Sequence, residues 1–269
     1  MNYFSRKVHL LKRSIQLGAD TRTKFQLIKA QFNWLRAANE NCQSARIHYN
    51  LKGKGGNFSA IVRDLPTDWI IFREIFYFDD YIDLTQLDWE PNTIYDIGAN
   101  AGLAALYMHS IFPKAKIYGF EPGKAEFENA KLNYTQNNLG VIYPIGAGDE
   151  NGSAVFYASE ARSGGQGFAP SEEFKKDATT YTVQLWRLDD YIVDGNLPLP
   201  DLIKMDIEGF EVKALTGMDK ALSHAKAIIL ETHGEELHAG VIKKLSEFGY
   251  KTITDSHRFS KFRILFSAK

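Results

Sequence analysis

From Thr93 onward, short apolar runs alternate with helical stretches at a spacing that leaves little choice of fold. Thr93–Ile97 reads as a buried strand and Leu103–Phe112 as a helix. Lys116–Phe120 and Lys124–Asn137 repeat the pair, and Val141–Ile145 is a third strand. Leu202–Asp206 and Ala227–Glu231 are strands four and five, each followed by a helix. A helix between two strands returns the chain over the sheet face, so such strands run parallel with right-handed crossovers. The end of the chain breaks the rule. Tyr250–Thr254 and Phe262–Phe266 are joined by a polar loop with no helix between them, a hairpin that makes the final strand antiparallel. Residues 150–187 interrupt the alternation after strand three. They read as an inserted β-hairpin with a flexible tip at Ser163-Gly-Gly-Gln-Gly167. The fold class expected is α/β, doubly wound around one sheet.

In such sheets ligands bind beyond the carboxyl ends of the strands, at the point where strand order reverses. There the chain carries Asp96-Ile-Gly-Ala-Asn-Ala-Gly102. Gly98 and Gly102 permit a sharp turn and a close approach, and the following helix offers free N–H groups. A dinucleotide loop has a second glycine where this one has Asn100, and an Asn side chain blocks the bare backbone a pyrophosphate needs. Asp96 repels phosphate as well. It suits a ligand with an ammonium group, such as the methionine part of S-adenosylmethionine. Glu121, followed by Pro122, closes strand two, where an acid can accept both hydroxyls of a ribose. Asp149, after strand three, either accepts an adenine amine or caps a turn.

Strand four runs into Lys204, Asp206, Glu208 and Glu211. Side chains 204, 206 and 208 share a face if the strand stays extended. Carboxylates crowded at a strand end are costly unless paired or chemically employed, which marks Asp206 and Glu208 as active-site candidates. Glu211 reads as a first-turn acid complementing the helix dipole. Glu231 and His233 alternate onto one face at the end of strand five. His233 is either structural or a proton acceptor. Asp206, Glu231 and His233 have donor types that suit a divalent cation, but nothing in the sequence demands a metal.

Asp-Ile-Gly-Ala-Asn-Ala-Gly at 96–102, Phe-Glu-Pro at 120–122, Ile-Lys-Met-Asp-Ile-Glu-Gly-Phe-Glu at 203–211 and Glu-Thr-His at 231–233 together closely resemble the signature of FkbM-type methyltransferases. The resemblance covers about residues 68–255. It implies a Rossmann-like methyltransferase sheet of seven strands, ordered 3-2-1-4-5-7-6, with S-adenosyl-L-methionine as cofactor. It also implies O-methylation of a sugar, glycan, glycolipid or secondary-metabolite hydroxyl. In that setting Asp96, Gly98, Asn100, Gly102, Glu121, Pro122, Asp149 and Lys204 would line the cofactor site. Asp206, His233, Glu208 and Glu231 would serve the acceptor. An NAD-dependent oxidoreductase and a non-catalytic S-adenosylmethionine-binding module are the alternatives. Asn100 and the terminal hairpin oppose the first, and the intact acidic positions oppose the second.

The start of the chain has a different character. Residues 1–54 hold eleven Lys/Arg against only Asp20 and Glu40, although the whole chain has a net charge of −1. Two amphipathic helices are expected there, with Val8, Leu11 and Ile15 on one face and Phe25, Ile28, Phe32 and Leu35 on the other helix's face. They either pack on the main domain or a second subunit, or meet a membrane or other anionic surface. The glycine-rich stretch 51–57 marks the expected boundary between a basic helical arm (1–56) and the methyltransferase domain (57–269). The single cysteine, Cys42, and the lack of a leader-like apolar run point to the cytoplasm. No nucleic-acid partner is expected.

Overall fold

The computed structural model describes residues 3–33, 45–78, 80–159, 162–168, 172–176, 178–259 and 262–269. Helices α1 (Tyr3–Leu17) and α2 (Thr21–Asn33) lead into a hairpin of β1 (Arg46–Gly53) and β2 (Gly56–Arg63), then α3 (Pro66–Tyr77). The alternating part follows as β3 (Thr93–Ile97), α4 (Leu103–Ile111), β4 (Lys116–Phe120), α5 (Lys124–Asn137) and β5 (Gly140–Tyr143). The excursion comprises β6 (Ile145–Ala147), β7 (Gly152–Ser159), β8 (Arg162–Gly167), α6 (Glu172–Lys175) and β9 (Thr179–Trp186). The chain ends as α7 (Leu188–Asp194), β10 (Leu202–Met205), α8 (Glu211–Thr216), α9 (Asp219–His224), β11 (Ala227–His233), α10 (Glu235–Glu247), β12 (Lys251–Phe259) and β13 (Phe262–Ala268).

The central sheet has seven strands in the order β5-β4-β3-β10-β11-β13-β12, which is the expected 3-2-1-4-5-7-6. Only β13 breaks the parallel set, pairing antiparallel with both β11 and β12. Residue alternation divides the interior into two layers. Ile94, Ile117, Leu202 and Ile229 pack into the layer with α3, α4 and α5, while Tyr95, Ile97, Ile203 and Leu230 pack with α7 to α10. The period-2 strand geometry thus buries both faces of the sheet.

Three features differ from the sequence reading. The third strand splits at Pro144, which has no N–H for a ladder. β5 stays in the main sheet, and β6 starts a second sheet of order β6-β9-β7-β8. The excursion is therefore a four-stranded sheet, larger than the expected hairpin. The glycine-rich stretch is the turn of the β1–β2 hairpin, which pairs 46–53 with 56–63 in unbroken register, so the boundary expected at 56/57 cuts a ladder. Leu17 and Leu27 belong to the main core, so the arm is built into the domain. Asn133 and Asn137 each accept a β2 N–H and donate to a β2 carbonyl, at Ile61 and Ser59 respectively. That side-chain ladder covers the edge of β2. Finally, the inward faces of the first two helices carry Leu10, Ser14 and Leu17, and Thr23 and Leu27. Ile15 (51%) and Phe25 (68%) are exposed. The side chain of Phe32 and all of Leu35 lie outside the described residues. Among the described residues no helix is long and apolar enough to cross a membrane.

Candidate active site

Two cavities meet beyond the carboxyl ends of β3, β4, β10 and β11. The larger, of about 280 Å³, lies between α3 (Thr67, Ile70, Glu74), the loop after β3 and the group Asp206, Glu208, Glu231 and His233. The smaller, of about 60 Å³, has apolar walls of Ile97, Phe120, Ile145 and Phe156, with Glu121 and Pro122 on one side. Gly98, Asn100, Asp206 and Glu208 line both.

The loop after β3 is held from beneath. Lys204 on β10 stands in register with Asp96 on β3. Its Nζ donates to the Gly98 carbonyl at 2.7 Å and pairs with Asp96 Oδ1 at 3.0 Å. Burial would discharge Lys204, but Asp96 and Asp206 outweigh it and hold the ammonium above its ordinary pKa. Asp96 has no exposed surface, and Tyr134 Oη donates to its other oxygen at 3.5 Å. It stands behind the walls of both cavities, where the expected contact with a ligand ammonium would pass through the loop it supports. Its charge is spent on Lys204.

Gly98 has φ +73°, and a Cβ there would lie 1.8 Å from the Asp206 carbonyl oxygen. The glycine is required because the chain leaving β10 crosses the loop at that point. Gly102, at the start of α4, lines neither cavity. A Cβ on it would press on Ala130 at 3.2 Å, so it serves helix packing. Asn100 holds a left-handed φ of 48° and accepts the Ala101 N–H on its own Oδ1 at 2.7 Å.

Glu121 binds the loop from the other side. Its Oε2 accepts the Asn100 N–H and its Oε1 the Gly123 N–H, both at 2.7 Å. Burial, reinforced by Glu126, pushes its carboxyl up to about 8, against the pull of those two N–H groups. In its ionised form each oxygen keeps a further lone pair for a hydroxyl. Two acceptor oxygens beside an aromatic and aliphatic slot match the hydroxyls of a ribose and the flat ring of an adenine, so these residues fit an adenosyl group. Asp149 stands outside both walls, and its main-chain carbonyl accepts Arg187 Nη1 at 3.1 Å.

The chain leaving β10 turns through Glu208 at φ +53° and Gly209 at φ +96°. A left-handed glutamate is strained and persists only where its surroundings hold it. His233 does so. Its Nε2 donates to Glu208 Oε2 at 3.2 Å and its Nδ1 to Glu211 Oε1 at 2.7 Å. Glu211 Oε1 also accepts the Gly209 N–H at 2.9 Å. Burial opposes charge on the ring, but Glu208, Glu211 and Asp206 push His233 up to about 11. With a carboxylate oxygen facing each nitrogen, the ring favours its protonated form, which has no lone pair to take a further proton. Glu211 is wholly buried and clamps the turn, a role hidden behind its reading as a dipole partner. Glu231 Oε1 lies 3.8 Å from Nε2. Asp206, Glu208 and His233 bring donor atoms within 4.8 Å of one another, but a metal there would have to displace the His233 proton.

Residues 96–252, more than half of the chain, match the profile of the methyltransferase FkbM domain. The chain belongs to the FkbM methyltransferase family. Among curated proteins, the hexuronic acid methyltransferase AglP of Haloferax volcanii is 28% identical over 178 residues, which cover 65% of this chain and 70% of AglP. The 2-O-methyltransferase NoeI of Sinorhizobium fredii is 25% identical, over 58% of this chain and 70% of NoeI. The 31-O-demethyl-FK506 methyltransferase FkbM of Streptomyces tacrolimicus is 23% identical, over 69% and 82%. Among solved structures, the fibrillarin of Aeropyrum pernix with natively bound S-adenosyl-L-methionine superposes with a TM-score of 0.50 at 11% identity, covering 86% of each chain, which shows the shared fold. This FkbM-family protein is therefore a methyltransferase that uses S-adenosylmethionine. The match begins at Asp96, so it leaves α1, α2, the β1–β2 hairpin and α3 outside.

Proposed function

We propose that this methyltransferase acts on a hydroxyl of a sugar-like acceptor, free or carried on a glycan, glycolipid or secondary metabolite. The observation that carries this reading is the group Asp206, Glu208 and Glu231 on the wall of the larger cavity, adjoining the glycine loop. Carboxylates accept hydrogen bonds from hydroxyls, and several on one wall suit a polyol. The O-positions printed in the names of NoeI and FkbM support an oxygen acceptor, and the hexuronic acid named for AglP supports a sugar-like one.

Glu121 and Pro122 would hold the adenosyl half of the cofactor in the smaller cavity, with Asn100 and Gly98 facing its methionine half. When bound, S-adenosylmethionine supplies a methyl group already activated by the sulfonium. Asp206 stands on the wall common to both cavities, which suits a group that orients the acceptor hydroxyl and accepts its proton. Glu208 and Glu231 hold neighbouring hydroxyls. His233 keeps its proton and fixes the direction of Glu208, and Lys204 fixes the loop.

The test is a mass-spectrometric screen with isotopically labelled methyl donor against neutral sugars, uronates, glycolipids, polyketide alcohols, and amine and thiol controls. Label on a hydroxyl oxygen of one of the first four classes is expected. Label confined to nitrogen or sulfur would overturn the reading.

A further inference from the structure

Among the described residues the most exposed large apolar side chain is Phe25, which lies outside the family match on a helix without a single acid. α1 and α2 together carry Arg6, Lys7, Lys12, Arg13, Arg22, Lys24 and Lys29 and no Asp or Glu. The inner faces of both helices are accounted for, because Ser14, Leu17, Thr23 and Leu27 are buried. The outer faces are unusual. At 3.6 residues per turn, Val8, Lys12 and Ile15 fall within about one-sixth of the circumference of α1, and Arg22, Phe25 and Lys29 do so on α2. Lys12, Ile15, Arg22, Phe25 and Lys29 are all exposed. Each outer face thus sets an apolar residue one helical turn from a cation.

The opposite side of α1 is bonded to the helix that lines the larger cavity. Arg13 Nε on α1 donates to the Phe76 carbonyl of α3 at 2.8 Å, and Ser14 Oγ meets Tyr77 Oη at 2.8 Å. The same helix α3 contributes Thr67, Ile70 and Glu74 to the cavity wall.

We propose that the outer faces of α1 and α2 are a docking surface for an anionic lipid bilayer. Charge complementarity selects this occupant. A helix pair with cations and no anions is attracted to acidic headgroups, while exposed Phe and Ile side chains bury in the headgroup–acyl boundary. A second copy of the same face would set cation against cation. The docked protein would hold its acceptor cavity near the membrane surface, and this clause alone rests on the sugar-hydroxyl reading above.

Flotation of the full chain with two kinds of vesicle tests the proposal, one of phosphatidylcholine alone and one with about a third phosphatidylglycerol. Binding only to the anionic vesicles, lost at high salt, is expected. Lys12→Glu and Lys29→Glu should each weaken it roughly fivefold or more, and Phe25→Asp with Ile15→Asp should abolish it. S-adenosylmethionine affinity and thermal midpoint should stay unchanged, since all four side chains point outward. Phe25→Trp should show a blue-shifted, vesicle-dependent emission. No binding to anionic vesicles overturns the proposal. So does binding that the Asp variants leave intact, a solution dimer dissolved by Phe25→Asp, or polyuridylate bound more tightly than the vesicles. The readout needs no acceptor, so an incorrect acceptor class would leave it standing.

Discussion

Two charged clusters in this molecule look alike in a list of residues and differ in what surrounds them. Around Arg63, one cation meets two acids. Nε and Nη2 donate to the two oxygens of Asp68 and Nη1 donates to Glu126, all at 2.9 Å. All three side chains are buried, and they join β2, α3 and α5. Around His233, one imidazolium meets Glu208, Glu211 and, at longer range, Glu231, with Asp206 adding its charge. This second cluster opens on a cavity and holds Glu208 in a strained conformation. The first cluster is a closed structural joint whose parts all answer one another. Acids outnumber cations in both, but in the second Asp206, Glu208 and Glu231 line the space a ligand would fill. An unbalanced cluster on a cavity wall is where a fold keeps bonding capacity for something outside the chain.

Removing one charge from each cluster should have opposite consequences. Asp206→Asn keeps the shape of the wall and removes the proposed proton acceptor. Turnover should fall by roughly 10²–10⁴-fold, with cofactor affinity by calorimetry within a few fold of wild type. A matching loss of affinity would move Asp206 to cofactor duty. Arg63→Met should do the reverse. It leaves Asp68 and Glu126 buried without a cation, a change that typically costs about 3–5 kcal/mol. Denaturant titration should show that loss, while the molecules that remain folded keep their turnover. Unchanged stability would mean that water reaches the joint.

The same difference between local and distant partners decides what is legible in the sequence. Strand order, the antiparallel end and the glycine loop follow from period and spacing, which are local. The partner of a buried charge is not local. Asp96 and Lys204 are 108 positions apart and meet only because β3 and β10 are neighbours, so Asp96 read as a ligand contact. Glu211 read as a dipole partner because its bond to His233 bridges two strand ends. Periodicity groups Val8, Leu11 and Ile15 on one face without saying which way that face turns, and Ile15 turns outward. The glycine-rich stretch 51–57 combines the composition of a linker with the geometry of a hairpin turn, and only the pairing of 46–53 with 56–63 tells them apart.

A smaller effect is expected at Glu121, whose two oxygens already hold the loop. Glu121→Ala removes acceptors worth ~0.5–1.5 kcal/mol each. Cofactor affinity should fall roughly tenfold on the ~1.4 kcal/mol per decade scale. Equal affinity by calorimetry would take the ribose away from this residue.

The most delicate test uses the proton of His233. Its folded pKa of about 11 lies above the ordinary 6.5. Between those limits the folded protein holds a proton that the unfolded chain has released. The stability that proton contributes is therefore complete below about pH 6.5 and is lost as pH rises through about 11. One such proton gives a slope of at most ~1.4 kcal/mol per pH unit, and coupling to Glu208 and Glu211 spreads it over a wider range. Glu121, raised to about 8, adds a slope of the same sign at lower pH, so the measurement belongs above its titration. Urea midpoints for wild type and His233→Gln at about pH 8.5 and pH 10 should converge, because the wild type loses the advantage that the variant never had. The wild-type pH–rate profile should likewise lack an ionisation near the ordinary histidine value. Parallel stability curves, together with a rate that titrates near 6.5, would make His233 a neutral base and reduce the contrast between the two clusters to a difference in exposure.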